Sequence, residues 1–254
     1  MLRHRGLVIN ALLFPGLFLA IPFAVVVGIP AAAGPQAFQD PKIEQMIRAL
    51  RQQAPELAGL GEQPVFHIYL FGQFLLLLLL VPVMGAMTIA THSVIGEKQN
   101  RSLEPLLATP VTAVELLLGK CLAAAIPSVL VGWVTTGLYS IGVYWLGGPD
   151  VFAHVFNRRG LAIVGLIAPL MAVLSLALGV AVSSRANDPR SAQQVAVLVV
   201  LPVIGVMAGQ LTGLFFLGLP AILVIAAGLA FAGVVVLGIA VQLFQRETIL
   251  TRWK

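Results

Sequence analysis

The sequence predicts an all-α integral membrane protein of six transmembrane helices. Three observations carry that class. The chain of 254 residues is 59% hydrophobic and 10% charged, where soluble domains carry roughly a quarter charged residues. Its apolar residues gather in six runs, at about 7–30, 65–95, 114–146, 160–183, 193–217 and 219–243, and about 20 such residues suffice to cross the hydrocarbon core. All 10 Asp and Glu fall in loops or at the ends of these runs. A soluble enzyme and a disordered chain are both excluded, and a single transmembrane domain over residues 1–254 accounts for the sequence.

The first run follows Arg3 and Arg5 and leads to Ala31, Ala32, Ala33 and Gly34, which imitates a secretory signal. Its apolar stretch of about 23 residues exceeds a signal core of roughly 7 to 15, so an uncleaved span is expected. The second and third runs exceed what a bilayer needs and should tilt or project an end into water. Only Gly218 and its neighbours separate the fifth and sixth runs, which must form a tight hairpin or a broken, partly re-entrant pair. Gly205, Gly209, Gly213, Gly218 and Pro220 favour the broken form, since backbone freed from helix bonds is tolerated at membrane depth when protein or a water cavity faces it.

Charge sets the orientation. Arg3, Arg5, Lys98, Arg101, Lys120, Arg185, Arg190, Arg246, Arg252 and Lys254 fall on one side, and Lys42, Arg48, Arg51, Arg158 and Arg159 on the other. The positive-inside rule puts both termini in the cytoplasm, with Arg158 and Arg159 held at the outer face by headgroups. The net charge of +5 therefore speaks of orientation, and no nucleic-acid partner is expected. One cysteine, Cys121, permits neither an internal disulfide nor a thiolate metal cluster.

Two segments lie outside the spans. In the outer one, residues 31–64, Ile43, Met46, Ile47 and Leu50 repeat on one helical face, while Asp40 and Pro41 supply an N-cap and first position and Pro55 limits the far end. An amphipathic helix over 41–53, lying on the outer leaflet, is the expectation; a docking face for cargo or an outer accessory subunit is the alternative. In the inner segment, 96–113, Ser102 can cap a short helix with Glu104 at its positive end and Pro105 in its first turn. Pro110 then stops that helix at Thr109, and Thr112 with Glu115 makes a capping box for the next span. The short helix displays Leu103, Leu106 and Leu107 to water, which is costly unless a cytoplasmic protein covers them.

The inner segment resembles that of type-2 permease subunits of ABC transporters. The matching residues are Glu97, Lys98, Arg101, Leu103, Glu104, Leu106, Leu107, Thr109, Pro110, Gly119 and Lys120, with weaker support from Phe244 to Leu250. The family often has Gly-Thr before its Leu-Glu pair; here Arg101-Ser102 stands there, and serine preserves the cap. The resemblance implies an exporter's membrane half, working as a homodimer or heterodimer of permeases over separate ATP-binding subunits, in the plasma (inner) membrane of a prokaryote. It further implies that the short helix is a coupling helix entering a cleft on each ATPase, Leu106 and Leu107 giving apolar contact and Glu97, Arg101 and Glu104 charged registry.

Consistent with a motor in another chain, no Gly-x-x-x-x-Gly-Lys-[Ser/Thr] occurs. This chain is expected to be no enzyme and to hold no cofactor or metal, ATP and Mg²⁺ belonging to the partner ATPase. His4, His67, His92 and His154 are scattered, without His-Glu-x-x-His or paired-carboxylate spacing; His92, near the inner end of the second run, reads as an interface residue. An ion-gradient-driven secondary transporter is the rival reading. The lack of carboxylates within spans counts against it, as does the lack of repetition between chain halves. A membrane scaffold or channel subunit is the remaining alternative. Gln73, Thr135, Thr136, Ser140, Gln193, Gln194, Gln210 and Thr212 are the polar groups in or near spans, expected to bond across helices or to backbone. With no charge along the path, a lipid-like, amphiphilic or hydrophobic cargo is favoured.

Overall fold

The computed structural model describes residues 15–28, 41–99, 113–183, 194, 196–211 and 218–243, apart from a few side chains within these ranges. The elements are helical: α1 Pro15–Gly28, α2 Pro41–Gln53, a 3₁₀ turn Pro55–Leu57, α3 Glu62–Leu77, α4 Leu80–Gln99, α5 Ala113–Val155, α6 Arg158–Ala162, a π turn Ile163–Ile167, α7 Ala168–Ser183, α8 Ala196–Leu211 and α9 Leu219–Leu243. Four stretches are long and apolar enough to cross a membrane: Glu62–Ser93, Cys121–Val155, Arg158–Ser183 and Leu219–Gln242. The first and fifth of the six expected spans correspond to shorter apolar helices, Pro15–Gly28 and Leu198–Gln210. At about 1.5 Å per residue α1 rises about 21 Å, against a hydrocarbon core of about 30 Å, and residues flanking both helices lie outside those described. So do residues 212–217, where the hairpin or re-entrant break was expected.

Prolines and one glycine punctuate the spans. The second span breaks between Leu77 and Leu80 because Pro82 lacks the N–H that Leu78 O would receive, and its ring crowds that carbonyl; in α4 itself Pro82 falls in the tolerated first turn. Gly148 interrupts α5 with φ 82° and ψ 176°, a conformation open to glycine at little cost. The π turn Ile163–Ile167 precedes Pro169. In π geometry Val164 O would receive the N–H five residues on, and residue 169 has none. The Trp133 indole supplies the donor instead, Nε1 to Val164 O at 3.1 Å.

Contacts divide the chain into two compact units. The first comprises Met1–Leu78, Trp133–Val164 and Val203–Ile222; the second comprises Leu79–Gly132, Gly165–Pro202 and Leu223–Lys254. In the first, Phe71 and Tyr139 stack edge to face at 6.0 Å, with Phe23 of α1 at 5.5 Å and Phe156 at 6.3 Å from the Tyr139 ring. The buried Tyr139 hydroxyl donates to Phe71 O at 2.8 Å, and a Cβ added at Gly142 would run into the Phe23 ring. Bulky rings thus fill this core, and the Tyr139 hydroxyl, the one polar tip among these four, is spent on backbone.

The first unit also corrects an expectation about α2. Its apolar face does not lie on a lipid surface: Ile47 and Leu50 are buried against Leu57, Val65 and Tyr69, with Ile43 and Met46 packed around them. The polar face carries the Glu44–Arg48 ion pair one turn apart, and Arg51 Nη2 donates to Leu60 O at 2.7 Å, closing the return to α3.

The second unit is built from small residues. Ala86 and Ala90 of α4 meet Ala172, Leu176 and Val180 of α7, with Cys121, Ala124 and Ala125 of α5 and Ala240 of α9 in the same cluster. A Cβ on Gly179 would come within 2.7 Å of Met87 Sδ and 3.2 Å of Ala90 Cβ, and one on Gly132 within 3.0 Å of the Pro82 ring. Close helix approach through small residues is how apolar helices gain contact without a hydrophobic drive between them. Ser175 Oγ donates to Val83 O at 2.8 Å. On the opposite side of α5, Leu122, Ile126 and Leu130 are exposed at helical spacing, as Val224, Phe231 and Val234 are on α9, the pattern of lipid-facing surface.

Candidate functional site

Of the residues assigned to coupling, Glu97 falls in the last turn of α4, its side chain being outside the described set. Arg101, Leu103, Glu104, Leu106, Leu107, Thr109 and Pro110 lie outside the described residues altogether. The structure frames that segment only by its flanks: α4 runs to Gln99, and α5 resumes at Ala113 with an exposed Glu115 in its first turn.

A second candidate is a half-open cleft of about 140 Å³ within the first unit. Leu50 of α2, Leu57 of the 3₁₀ turn, Val65 and Leu76 of α3, and Ile163 of the π turn give it apolar walls. Its more exposed polar residues are Glu56 and Arg159, whose side chains pair at 3.5 Å while 54% and 42% exposed. Their placement follows from the turn between α5 and α6. Asn157 Oδ1 caps α6 by accepting from the backbone N–H of Arg159 at 2.9 Å and of Gly160 at 3.2 Å, and a Cβ at Gly160 would strike Val155 O. Glycine is therefore required for this tight return, which sets Arg159 opposite Glu56. An ion pair this exposed adds little stability. His154, also at the cleft, has Nδ1 2.7 Å from Asp150 O.

The buried polar residues of the cleft are Tyr69, Gln73 and Gln210, all under 9% exposed. Gln73 Nε2 donates to Gln210 Oε1 at 2.8 Å, so the expectation that glutamines in the spans bond across helices holds for this pair. Thr91 and Ser140 bond to backbone instead, Thr91 Oγ1 to Met87 O at 2.9 Å and Ser140 Oγ to Gly137 O at 2.7 Å. The pairing leaves Gln73 Oε1 without a partner, and the Tyr69 hydroxyl is likewise buried and unpartnered. The sequence singled out both glutamines as polar groups in apolar runs but offered no sign of Tyr69, or of Glu56 meeting Arg159 about 100 residues away.

Chemically, this arrangement offers hydrogen-bonding groups within an apolar cleft. Its polar groups are the amides of Gln73, Gln210 and Asn157, the Tyr69 phenol, the His154 imidazole and the Glu56–Arg159 ion pair, set in aliphatic walls. Among the described residues no three His, Cys, Asp or Glu converge on a point, and His92 is exposed.

The chain matches the family model described as ABC-2 family transporter protein over residues 2–217. No curated protein and no solved structure matches it. Permeases of this family are not enzymes themselves and usually work with a separate ATP-binding subunit. With the match spanning most of the sequence, three helices able to cross a bilayer within it and a fourth, Leu219–Gln242, just beyond it, the chain belongs to the ABC-2 transporter family, as an integral membrane transport permease.

Proposed function

We propose that the protein is the membrane half of an ATP-driven exporter, acting as a pair of permease subunits on two cytoplasmic ATPases in a prokaryotic plasma membrane, both termini inside. The observation that carries this reading is the family match over residues 2–217; the loop sequence from Glu97 to Pro110 supports it independently. In this reading residues 102–109 form the coupling helix, which docks its leucines into the ATPase. Closure of the ATPase pair moves that helix, and α4 and α5, which flank it in sequence, carry the movement into the spans. The cargo is lipid-like, amphiphilic or hydrophobic, in keeping with spans whose Asp and Glu sit at their ends and whose described buried polar groups, His67 apart, are amides and hydroxyls.

The test is gentle solubilisation from the native membrane, identification of the chains that come with the protein, and ATPase assay of wild type, Leu106→Asp and Glu104→Lys. A co-purifying ATPase lost with Leu106→Asp, and ATP hydrolysis uncoupled from transport with Glu104→Lys, are expected. A chain that purifies alone and moves substrate under a proton or sodium gradient overturns the reading.

A further inference from the structure

We infer that the cleft of the first unit is a binding site for a small amphiphile of the alcohol or phenol class, an apolar body of benzene size carrying one hydroxyl. Size, walls and unused hydrogen-bonding capacity each point there. An apolar cavity of about 150 Å³ holds a benzene-sized guest, and the cleft measures about 140 Å³. Half of its lining residues are Leu, Ile, Val or Ala, so a guest with an apolar body dries surface that water would leave wet. Two of the lining residues carry buried polar atoms without partners, Gln73 Oε1 and the Tyr69 hydroxyl. Leaving such atoms unsatisfied is costly.

A hydroxyl suits both atoms, because it donates its one proton to the Gln73 carbonyl oxygen and accepts from the Tyr69 phenol. A charged guest does not suit the buried end, where an uncompensated charge far from water is expensive. Gln73 is already oriented by its bond to Gln210, so the acceptor is held in place before any guest arrives. Gly72 lines the same cleft, and a Cβ added there meets nothing within 4 Å. This site follows from the geometry of the first unit and stands whether or not the coupling reading does.

The test uses benzyl alcohol and toluene as probes on the purified full chain in detergent, followed by ligand-observed NMR, with protein-free micelles as the partitioning control. Benzyl alcohol is expected to bind saturably and toluene about tenfold more weakly or worse. Tyr69→Phe removes a buried oxygen that bonds to nothing, so the thermal midpoint should hold or rise while benzyl alcohol affinity falls about fivefold, the worth of one ordinary hydrogen bond. Gly72→Leu fills the space and should abolish saturable binding. Benzyl alcohol that only partitions, alike in wild type and Gly72→Leu, overturns the site. Toluene binding as tightly as benzyl alcohol, or an unchanged affinity in well-folded Tyr69→Phe, overturns the hydroxyl assignment and the proposal with it; these two readings decide the matter even if Gly72→Leu fails to fold.

Discussion

Gln73 of α3 and Gln210 of α8 are joined side chain to side chain at 2.8 Å across 137 residues of sequence, both buried. Within the first unit this bond ties the second predicted span to the fifth. An amide that loses its partner in such surroundings is left buried without that bond.

Gln73→Leu should therefore destabilise the protein more than the contact itself is worth, because Gln210 is left with a buried unpaired amide. The double variant Gln73→Leu/Gln210→Leu should recover part of the loss. A double-mutant cycle on unfolding free energy in mixed micelles should give a coupling of about 0.6 to 1.7 kcal/mol, the range of side-chain bonds between membrane helices. A coupling near zero would mean that the two amides do not meet.

Trp133 and Pro169 form a second linked pair through backbone. Trp133→Phe keeps an aromatic ring, smaller than the indole, and removes the donor to Val164 O, at an expected cost of about 0.5 to 1.5 kcal/mol for the lost bond. In a Pro169→Ala background the missing backbone N–H returns, and the same substitution should cost less. Thermal unfolding of the four proteins checks this, and equal penalties in both backgrounds would refute the explanation of the π turn.

The elements were legible in the sequence to different depths, for physical reasons. Hydropathy alone marks α3 with α4, α5, α7 and α9, because an unbroken apolar run of that length has few other uses. The first and fifth runs are described only in part, as α1 and α8, because residues flanking both lie outside those described. The break before Leu80 and the π turn hang on single prolines, Pro82 and Pro169, whose effect lies four or five residues upstream. The face of α2 was legible as a helical stripe, but its occupant was not: Ile43, Met46, Ile47 and Leu50 look the same whether lipid or Val65 and Tyr69 cover them. Likewise Gln73 and Gln210 announce themselves as polar groups in apolar runs, whereas Tyr69 and the Glu56–Arg159 pair emerge only when the α5–α6 return is folded.

Because the chain itself covers α2, a charge on that face should undock the helix from α3. Ile47 is 2% exposed, so Ile47→Asp buries an unpaired carboxylate or expels the helix. Limited proteolysis between residues 50 and 62 should accelerate well beyond wild type, and Arg48→Asp on the polar face should leave the rate near that of wild type. Equal protection of Ile47→Asp would place the apolar face elsewhere.

The close approach of α4 and α7 in the second unit turns on Gly179. A side chain there meets first the flexible end of Met87, at 2.7 Å from Sδ, and then the fixed Cβ of Ala90, at 3.2 Å. The order of these obstacles predicts a graded response. Gly179→Ala should be tolerated, because the Met87 thioether can swing aside and Ala90 needs to give by only a few tenths of an ångström. Gly179→Leu should cost about 1 to 3 kcal/mol as overpacking. Met87→Ala alone should cost about 2 to 5 kcal/mol by leaving a cavity. Combined, the new leucine occupies part of the space the methionine vacated, so the double variant should be more stable than the sum of the two penalties by at least about 0.5 kcal/mol. Strict additivity of the unfolding free energies would show that Gly179 and Met87 do not share this space, and that the small residues of α7 serve something other than contact with α4.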